Sequence, residues 1–226
     1  MESSEQILQL IKDKGITAIE VFEKCKSVFE NLKSILQQQE KELKSKMSSV
    51  NPRVPVEFND KGRLEVHFKV ANDVLIFLMH TNIFTFDSHH IISKSSYIKE
   101  NPLRGFCGVI SVYNFLNDSI RYNRSNDTGL LIARMFVNNE NHFFVEGKHK
   151  TGVLFNDFEN DVIGTEKLKK FVEHLLILVL EDDVPAPPFD TMLQISLQQL
   201  NENAAQSGLV SGKRFGFVVP GSSDDA

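Results

Sequence analysis

The sequence predicts an α+β protein, with helices at both ends and an antiparallel sheet of about five strands between them. Two observations predict this class. Apolar residues recur at helical spacing before residue 50 and again between residues 166 and 180. Between these regions, apolar runs of strand length alternate with short polar turns. Because strands joined by short turns pair with their neighbours, we expect an antiparallel sheet.

Composition and charge limit the class of protein. The chain has 226 residues and a formal net charge of −5, as ordinary globular proteins do. No run approaches the ~18 consecutive apolar residues of a membrane span, and residues 1–6 lack the features of a secretory signal. We therefore expect a cytoplasmic protein with no membrane partner. The excess negative charge lies from residue 181 onward, so residues 1–180 are neutral overall and can still bind an anion locally.

The chain divides by composition into three parts. These are N-terminal helices over residues 1–50, an α+β core over 51–180, and an acidic C-terminal segment over 181–226. Capping patterns at Ser3 and Thr17 predict two N-terminal helices, with Gly15 ending the first. The C-terminal segment is predicted to hold a last helix, and then a tail with an apolar island over residues 215–219.

Within the core, Leu64–Val70 and Val74–Met79 flank a turn and predict a hairpin. Residues 107–120 fit either a helix or a buried strand, and we favour a helix because their apolar side chains share one helical face. A meander of three strands is then predicted, formed by Leu130–Val137, His142–Glu146 and Val153–Phe155. This order of elements resembles that of PAS-like, profilin-like and roadblock-like domains. The resemblance implies a five-stranded antiparallel sheet and no particular site residues.

One group of residues matches a metal-dependent nuclease. Glu146 and Lys148 lie two residues apart at a strand end, hence on one face, and Asp127 lies upstream. In such enzymes carboxylates hold Mg or Mn, and the lysine orients the attacking water. A turn centred on residues 139–140, however, places Glu146 opposite Ala133 or Arg134, roughly 20 Å from Asp127 along a straight strand. A cross-strand pair with an arginine is therefore the competing interpretation.

A second group, Asp87, His89 and His90, carries side chains that ligate zinc or iron. Adjacent histidines on an extended chain point to opposite faces, so exposed turn residues are the competing interpretation. Cys107 is expected to be buried and inert, because nothing in its sequence neighbourhood indicates an activated thiolate. No resident cofactor is therefore predicted, and Mg or Mn enters only with the nuclease alternative.

A third group is basic. Arg121, Arg124 and Arg134 supply guanidinium groups that suit the anionic group of a small ligand. The competing interpretation is a solvated surface in which each arginine has an acidic neighbour.

The second N-terminal helix carries a repeat of seven residues. Phe22, Phe29 and Leu36 recur at this spacing and predict an interface between copies of the chain, whereas a helix packed on its own domain would show the same residues. Together these observations favour a non-catalytic binding, sensor or interaction module that acts as a homo-oligomer. Its partners would be itself, another protein or a small anionic ligand. The alternatives are a metal-dependent phosphodiesterase, the one case with a nucleic-acid partner, and an assembly adaptor.

Overall fold

The structure is a computed structural model that describes residues 3–147, 151–186, 189–194, 196–198, 200–201 and 213. The α-helices with printed bounds are α1 (Ser3–Leu10), α2 (Ile16–Ser48), α3 (Ser96–Glu100), α4 (Asn117–Arg121), α5 (Thr151–Leu154) and α6 (Thr165–Glu181). The strands are β1 (Val56–Asp60), β2 (Glu65–Val70), β3 (Asp73–Met79), β4 (Gly108–Leu116), β5 (Leu130–Val137) and β6 (Phe143–Gly147). A π-helical segment, Ile11–Gly15, joins α1 to α2, and short 3₁₀ turns cover Ile92–Lys94, Pro102–Gly105 and Phe189–Met192.

All six strands form one open antiparallel sheet in the order β1 to β6, each paired with its neighbours in sequence. Helices α2 and α6 cover one face of this sheet. Phe29 of α2 and Phe171 of α6 are fully buried there against Phe68 and Phe77. This layer holds most of the buried apolar side chains of the core. Burial of each large apolar side chain stabilises a protein by ~1.5–3 kcal/mol.

The opposite face of the sheet is covered in part, by the β3–β4 connection and by residues 156–163. Phe136 and Phe144 stack at 4.8 Å and pack under Ile98 and Phe158 in a smaller cluster. The outer edge of β6 is also closed, since its Val145 N–H donates a hydrogen bond to the carbonyl of residue 155 at 2.8 Å. Among the described helices, none combines the length and apolar character that crossing a membrane requires.

The middle of the chain is a strand, so the helix predicted over residues 107–120 is wrong. Gly108–Leu116 forms β4 and pairs with β3 and β5, and only Asn117–Arg121 is helical. Much of β4 is buried on both faces, which makes its apolar run nearly continuous. Such a run has no period that separates a strand from a buried helix. The helical middle behind the resemblance to PAS-like, profilin-like and roadblock-like domains is therefore present only as short pieces, namely α3, α4 and two 3₁₀ turns, and β4 replaces the longer helix.

Two further strand predictions are corrected. Residues 56–60 form a sixth strand that the sequence did not indicate, because this edge strand follows two prolines and carries polar residues. Residues 153–155 do not form the third strand of a meander. Val153 lies in the short helix α5 with 77% of its surface exposed, and Phe155 packs into the core beyond it.

Gly15 does not end a helix. Its φ of −68° is helical, and the chain continues without interruption from α1 through the π-helical segment into α2. A glycine at a C-terminal cap would adopt positive φ, and this one does not. The two predicted N-terminal helices are therefore one long helix.

Several predicted elements are confirmed. The hairpin of β2 and β3, the pairing of β5 with β6 and the helix over residues 166–180 all lie where the sequence indicated. The predicted last helix is described in part, since residues 197, 198, 200 and 201 are helical. The predicted island over residues 215–219 lies outside the described residues.

Candidate interaction surface

The two carboxylates of the nuclease hypothesis, those of Asp127 and Glu146, contact different side chains. Asp127 lies in the β4–β5 connection, is nearly buried, and accepts a hydrogen bond from Ser119 Oγ at 2.5 Å. The guanidinium of Arg124 lies 3.9 Å from the same carboxylate. Lys148 lies outside the described residues. Asp127 therefore has a structural role in fixing the conformation of this connection.

Glu146 forms the competing cross-strand pair. It lies directly opposite Arg134 in the β5–β6 register and accepts a hydrogen bond from Arg134 Nε at 2.9 Å. His90 Nε2 lies 3.6 Å from the second carboxylate oxygen. This is the register that a turn at residues 139–140 predicts, so both candidate carboxylates have partners of their own.

Asp87, His89 and His90 lie in one turn, but the His90 side chain makes contacts separate from those between Asp87 and His89. The carboxylate of Asp87 accepts hydrogen bonds from the backbone N–H of His89 at 2.8 Å and from its ring at 2.9 Å. The backbone hydrogen bond, with the ring contact, holds the pKa of Asp87 below its ordinary value. His90 instead stacks on Phe86 at 4.9 Å. Within the described ranges, no three acidic, histidine or cysteine side chains are placed to hold one metal ion.

The three predicted ligand-binding arginines fall into two places. Arg121 and Arg124 lie 5.3 and 5.5 Å from the ring of Tyr122, in the connection between β4 and β5. Arg134 lies on β5 and is bound to Glu146. It is about 13 Å along the strand from the start of β5, at ~3.3 Å per residue. The structure thus brings two of the three together, and both Arg124 and Arg134 have an acidic partner, Asp127 and Glu146 respectively.

The repeat of seven residues in α2 faces the core of its own chain. Phe29 and Leu36 are completely buried in the core cluster, as a helix packed on its own domain requires. These two side chains are therefore not available to a second copy, although self-association itself stays a prediction. Phe22 is half-buried and borders a groove at the surface.

The N-terminal part of the same helix presents apolar side chains to solvent. Neither α1 nor the π-helical segment buries a single side chain against the domain. Six leucine and isoleucine side chains here keep 47% to 68% of their surface exposed. We call this set the exposed apolar face: Ile7, Leu8, Leu10, Ile11, Ile16 and Ile19. Clustered exposed apolar residues mark interaction sites, whereas single ones are normal.

The π-helical segment keeps part of this face in line. Ile7, Ile11, Gly15 and Ile19 follow one another at a spacing of four residues. Around a regular α-helix such a row drifts by about 40° at each step, because one turn takes 3.6 residues. A π-helical turn takes more residues, so the segment over residues 11–15 offsets part of the drift. The row therefore runs along one side of the helix.

A groove of about 910 Å³ continues the exposed apolar face toward the domain. Gly15, Ile19 and Phe22 line its helix side, and Ile83, Phe84 and Phe106 line the other side. Charged side chains of residues 14 and 23 form part of its rim. The exposed apolar face and the groove together form the candidate interaction surface.

The sequence indicated only part of this surface. Its apolar stripe over residues 7–11 was visible, but the predicted interface was assigned to the regular repeat further along the helix. Ile16, Ile19 and Gly15 were missed. A helix that projects beyond its domain has the same apolar pattern as a helix that packs on the domain. The sequence therefore does not show which part of the helix is exposed.

The two cysteines are not candidates for chemistry. Cys25 and Cys107 are completely buried. Burial raises the pKa of Cys25 to about 12 and also raises the pKa of Cys107, so both remain protonated thiols at neutral pH. The prediction that Cys107 is buried is confirmed.

No family model, no curated protein and no solved structure matches this chain.

Proposed function

We propose that this protein is a non-catalytic interaction module that self-associates through the exposed apolar face of its N-terminal helix. One observation carries the proposal: the helix over residues 3–15 buries nothing against its own domain and yet exposes four large apolar side chains. A solvated helix without a partner would be expected to carry polar residues on all sides.

The energetics support a partner on this face. Helices shorter than ~12–15 residues are marginal in water, and most helical stability in proteins comes from packing of an apolar face. Residues 3–15 continue α2, so they need no separate nucleation, but they gain no packing from the described domain. Burial of an isoleucine side chain is worth ~1.5–3 kcal/mol, which a second copy would supply at several positions.

The contacts of the other candidate residues favour binding over catalysis. The carboxylates of Asp127 and Glu146 are each engaged by an arginine and by a further polar side chain, which suits structural ion pairs. No specific observation on the described residues favours the phosphodiesterase. An assembly adaptor would use the same exposed apolar face, so the substitution described below tests both hypotheses.

Ile11→Lys tests the proposal. Association buries Ile11 in both copies, so the substitution removes at least about 3 kcal/mol of burial per dimer and raises the dissociation constant about 100-fold. Sedimentation equilibrium measures that constant. Gln9→Lys is the matched control, because it adds the same charge at an exposed position of the same helix outside the exposed apolar face.

The control is expected to associate as the wild type does. Equal dissociation constants for Ile11→Lys and the wild type would contradict the proposal, as would a wild type that stays monomeric.

A further inference from the structure

We propose that the pocket at the C-terminal end of α6 binds a linear polyamine, with one primary ammonium group at Asp73 and a second beside Asp182 and Asp183. This pocket lies on a different surface from the exposed apolar face, so the inference does not depend on self-association. Three observations carry it: an alkylammonium group already bound at the buried end of the pocket, a helix end that carries acidic residues, and carboxylates spread along the pocket wall.

The buried end of the pocket holds an alkylammonium group of the chain itself. Lys213 Nζ donates a hydrogen bond to the Asp73 carboxylate at 2.8 Å and another to the carbonyl of Val179. Asn114 Nδ2 donates to the other oxygen of this carboxylate at 2.9 Å. The side chains of Lys213 and Asp73 keep only 5% and 4% of their surface exposed. The accepting groups lie on the core elements β3 and α6, so the core recognises an alkylammonium group that the C-terminal segment supplies.

The end of α6 carries negative charge where a helix usually carries positive charge. Its last turn contains no basic residue, and Asp182 and Asp183 follow the helix directly. The carbonyl groups of a helix C-terminus have a partial negative charge, so acidic side chains there are unfavourable and cations are stabilising. A bound cation reverses the unfavourable effect of these two aspartates, and binding is therefore a reason for an arrangement that helix stability disfavours.

The pocket has the volume and the lining for an elongated cation. Its volume is about 430 Å³, within the ~300–1,000 Å³ of small-molecule sites. Asp73, Asp182 and Asp183 line it together with the apolar residues Leu180 and Val184. Over the part of the chain that the structure describes, no three acidic, histidine or cysteine side chains are placed to hold one metal ion. Carboxylates spread along a partly apolar wall suit ammonium groups that methylene chains separate, as in a polyamine.

A polyamine must compete with Lys213 for the carboxylate of Asp73. A group tethered to the same chain binds at a high effective concentration, so Lys213 occupies the buried end most of the time. If a free ligand finds this end open for about a tenth of the time, its apparent dissociation constant is raised about tenfold. Removal of the Lys213 ammonium should therefore strengthen polyamine binding.

Lys213→Ala tests the site, with spermidine as the probe and isothermal titration calorimetry as the measurement. At ~0.15 M salt, which screens distant charges, we expect one spermidine to bind per chain at least about tenfold more tightly than to the wild type. Lys169→Ala is the matched control, because it removes the same charge from an exposed pair on α6, and it should bind spermidine as the wild type does. Circular dichroism checks the fold. Lys213→Gln, which keeps a hydrogen-bond donor for Asp73, replaces the alanine variant if that variant does not fold.

Further substitutions in the Lys213→Ala protein test the two ends of the pocket. Asp73→Asn removes the buried carboxylate and should weaken spermidine binding at least about tenfold. Asp182→Asn with Asp183→Asn should weaken spermidine binding by a similar factor and leave the binding of n-butylammonium, which has a single charge, unchanged. Because n-butylammonium reproduces the side chain of lysine, it also distinguishes a free polyamine from a lysine of another protein.

Tighter spermidine binding to Lys213→Ala that requires the carboxylates at both ends supports the polyamine site. Equal spermidine affinities for Lys213→Ala and Lys169→Ala would overturn it, because the effect would then be one of net charge. Equal affinities of Lys213→Ala for n-butylammonium and spermidine would overturn the polyamine as ligand and indicate a single alkylammonium group, such as a partner's lysine. A folded Lys213→Ala protein that binds no spermidine overturns the site itself.

Discussion

The ammonium group of Lys213 lies in a nearly buried position beside the end of α6. Its Nζ donates hydrogen bonds to the carboxylate of Asp73 at 2.8 Å and to the carbonyl of Val179. Asp73 also accepts a hydrogen bond from Asn114 Nδ2 at 2.9 Å. This network attaches a residue of the acidic C-terminal segment to the start of β3, and it gives that segment a defined contact with the core.

Lys213→Met is expected to lower the free energy of unfolding by about 3 kcal/mol, because it leaves the buried carboxylate of Asp73 without its cation. Urea denaturation measures the change. The double variant with Asp73→Asn should recover part of the loss, since it removes the unpaired charge. Lys169→Met is the control: its pair with Glu173 is exposed and should cost under about 1 kcal/mol. A Lys213 variant as stable as this control would contradict the buried pair.

Tyr97, Arg104 and Glu140 form a polar cluster at the rim of the smaller core cluster. The Tyr97 hydroxyl and Arg104 Nε donate to the Glu140 carboxylate at 2.7 and 3.1 Å. Partial burial raises the pKa of Glu140, but these hydrogen bonds outweigh it and leave the pKa below the ordinary 4.5. Burial, with the bond to Glu140, raises the pKa of Tyr97 above its ordinary range, so its hydroxyl stays a donor at neutral pH.

The lowered pKa of Glu140 predicts a pH dependence of stability. Its carboxylate stabilises the fold fully above pH 4.5, the ordinary pKa, and the contribution disappears as pH falls through the lower pKa of the folded state. Glu140→Gln should therefore have a lower free energy of unfolding than the wild type at pH 7, by under about 1 kcal/mol because the group is partly exposed. This difference in the free energy of unfolding should shrink below pH 4.5. Thermal unfolding across pH measures it. A difference that stays constant down to pH 2 would contradict the contacts.

Among the elements, α2 lies close against β4 at Gly108. A Cβ added to Gly108 would lie 2.5 Å from Cβ and 2.7 Å from Sγ of Cys25. The helix rests directly on the strand at this point, and glycine is what permits that distance.

Gly108→Ala is expected to lower the free energy of unfolding by about 3 kcal/mol or more, because the helix must move away from the sheet. Gly15→Ala is the matched control and should stabilise the helix by up to about 1 kcal/mol, since its Cβ meets open space. Chemical denaturation of both variants measures the contrast. Equal stabilities would mean that α2 and β4 do not approach as described.

The elements that the sequence predicted correctly have one exposed face or lie beside a recognisable turn. In β2, buried and half-buried residues alternate, and the register of Arg134 with Glu146 follows from the turn at residues 139–140. The failure at β4 has the opposite cause. Val109, Ile110 and Val112 are all buried, because covering layers lie on both faces of this strand. Their pattern depends on tertiary packing, which no local period encodes.

At the scale of the whole molecule, the candidate surface was only partly predictable. The apolar stripe of Ile7, Leu8 and Ile11 is visible in the sequence, but its exposure depends on where the domain ends along a continuous helix. The sequence interpretation ended that helix at Gly15 and assigned the interface to Phe22, Phe29 and Leu36, of which Phe29 and Leu36 are buried against the sheet. The proposed self-association is thus assigned to a different part of the helix from the one that the repeat indicated.

The mass of the intact chain in solution tests this account most directly. Sedimentation equilibrium across micromolar concentrations should give a species of twice the 25.7 kDa monomer mass, and dilution should shift it toward the monomer. The same measurement on Ile11→Lys should give the monomer over the same range. A wild-type chain that stays at 25.7 kDa up to millimolar concentration would contradict self-association through the N-terminal helix.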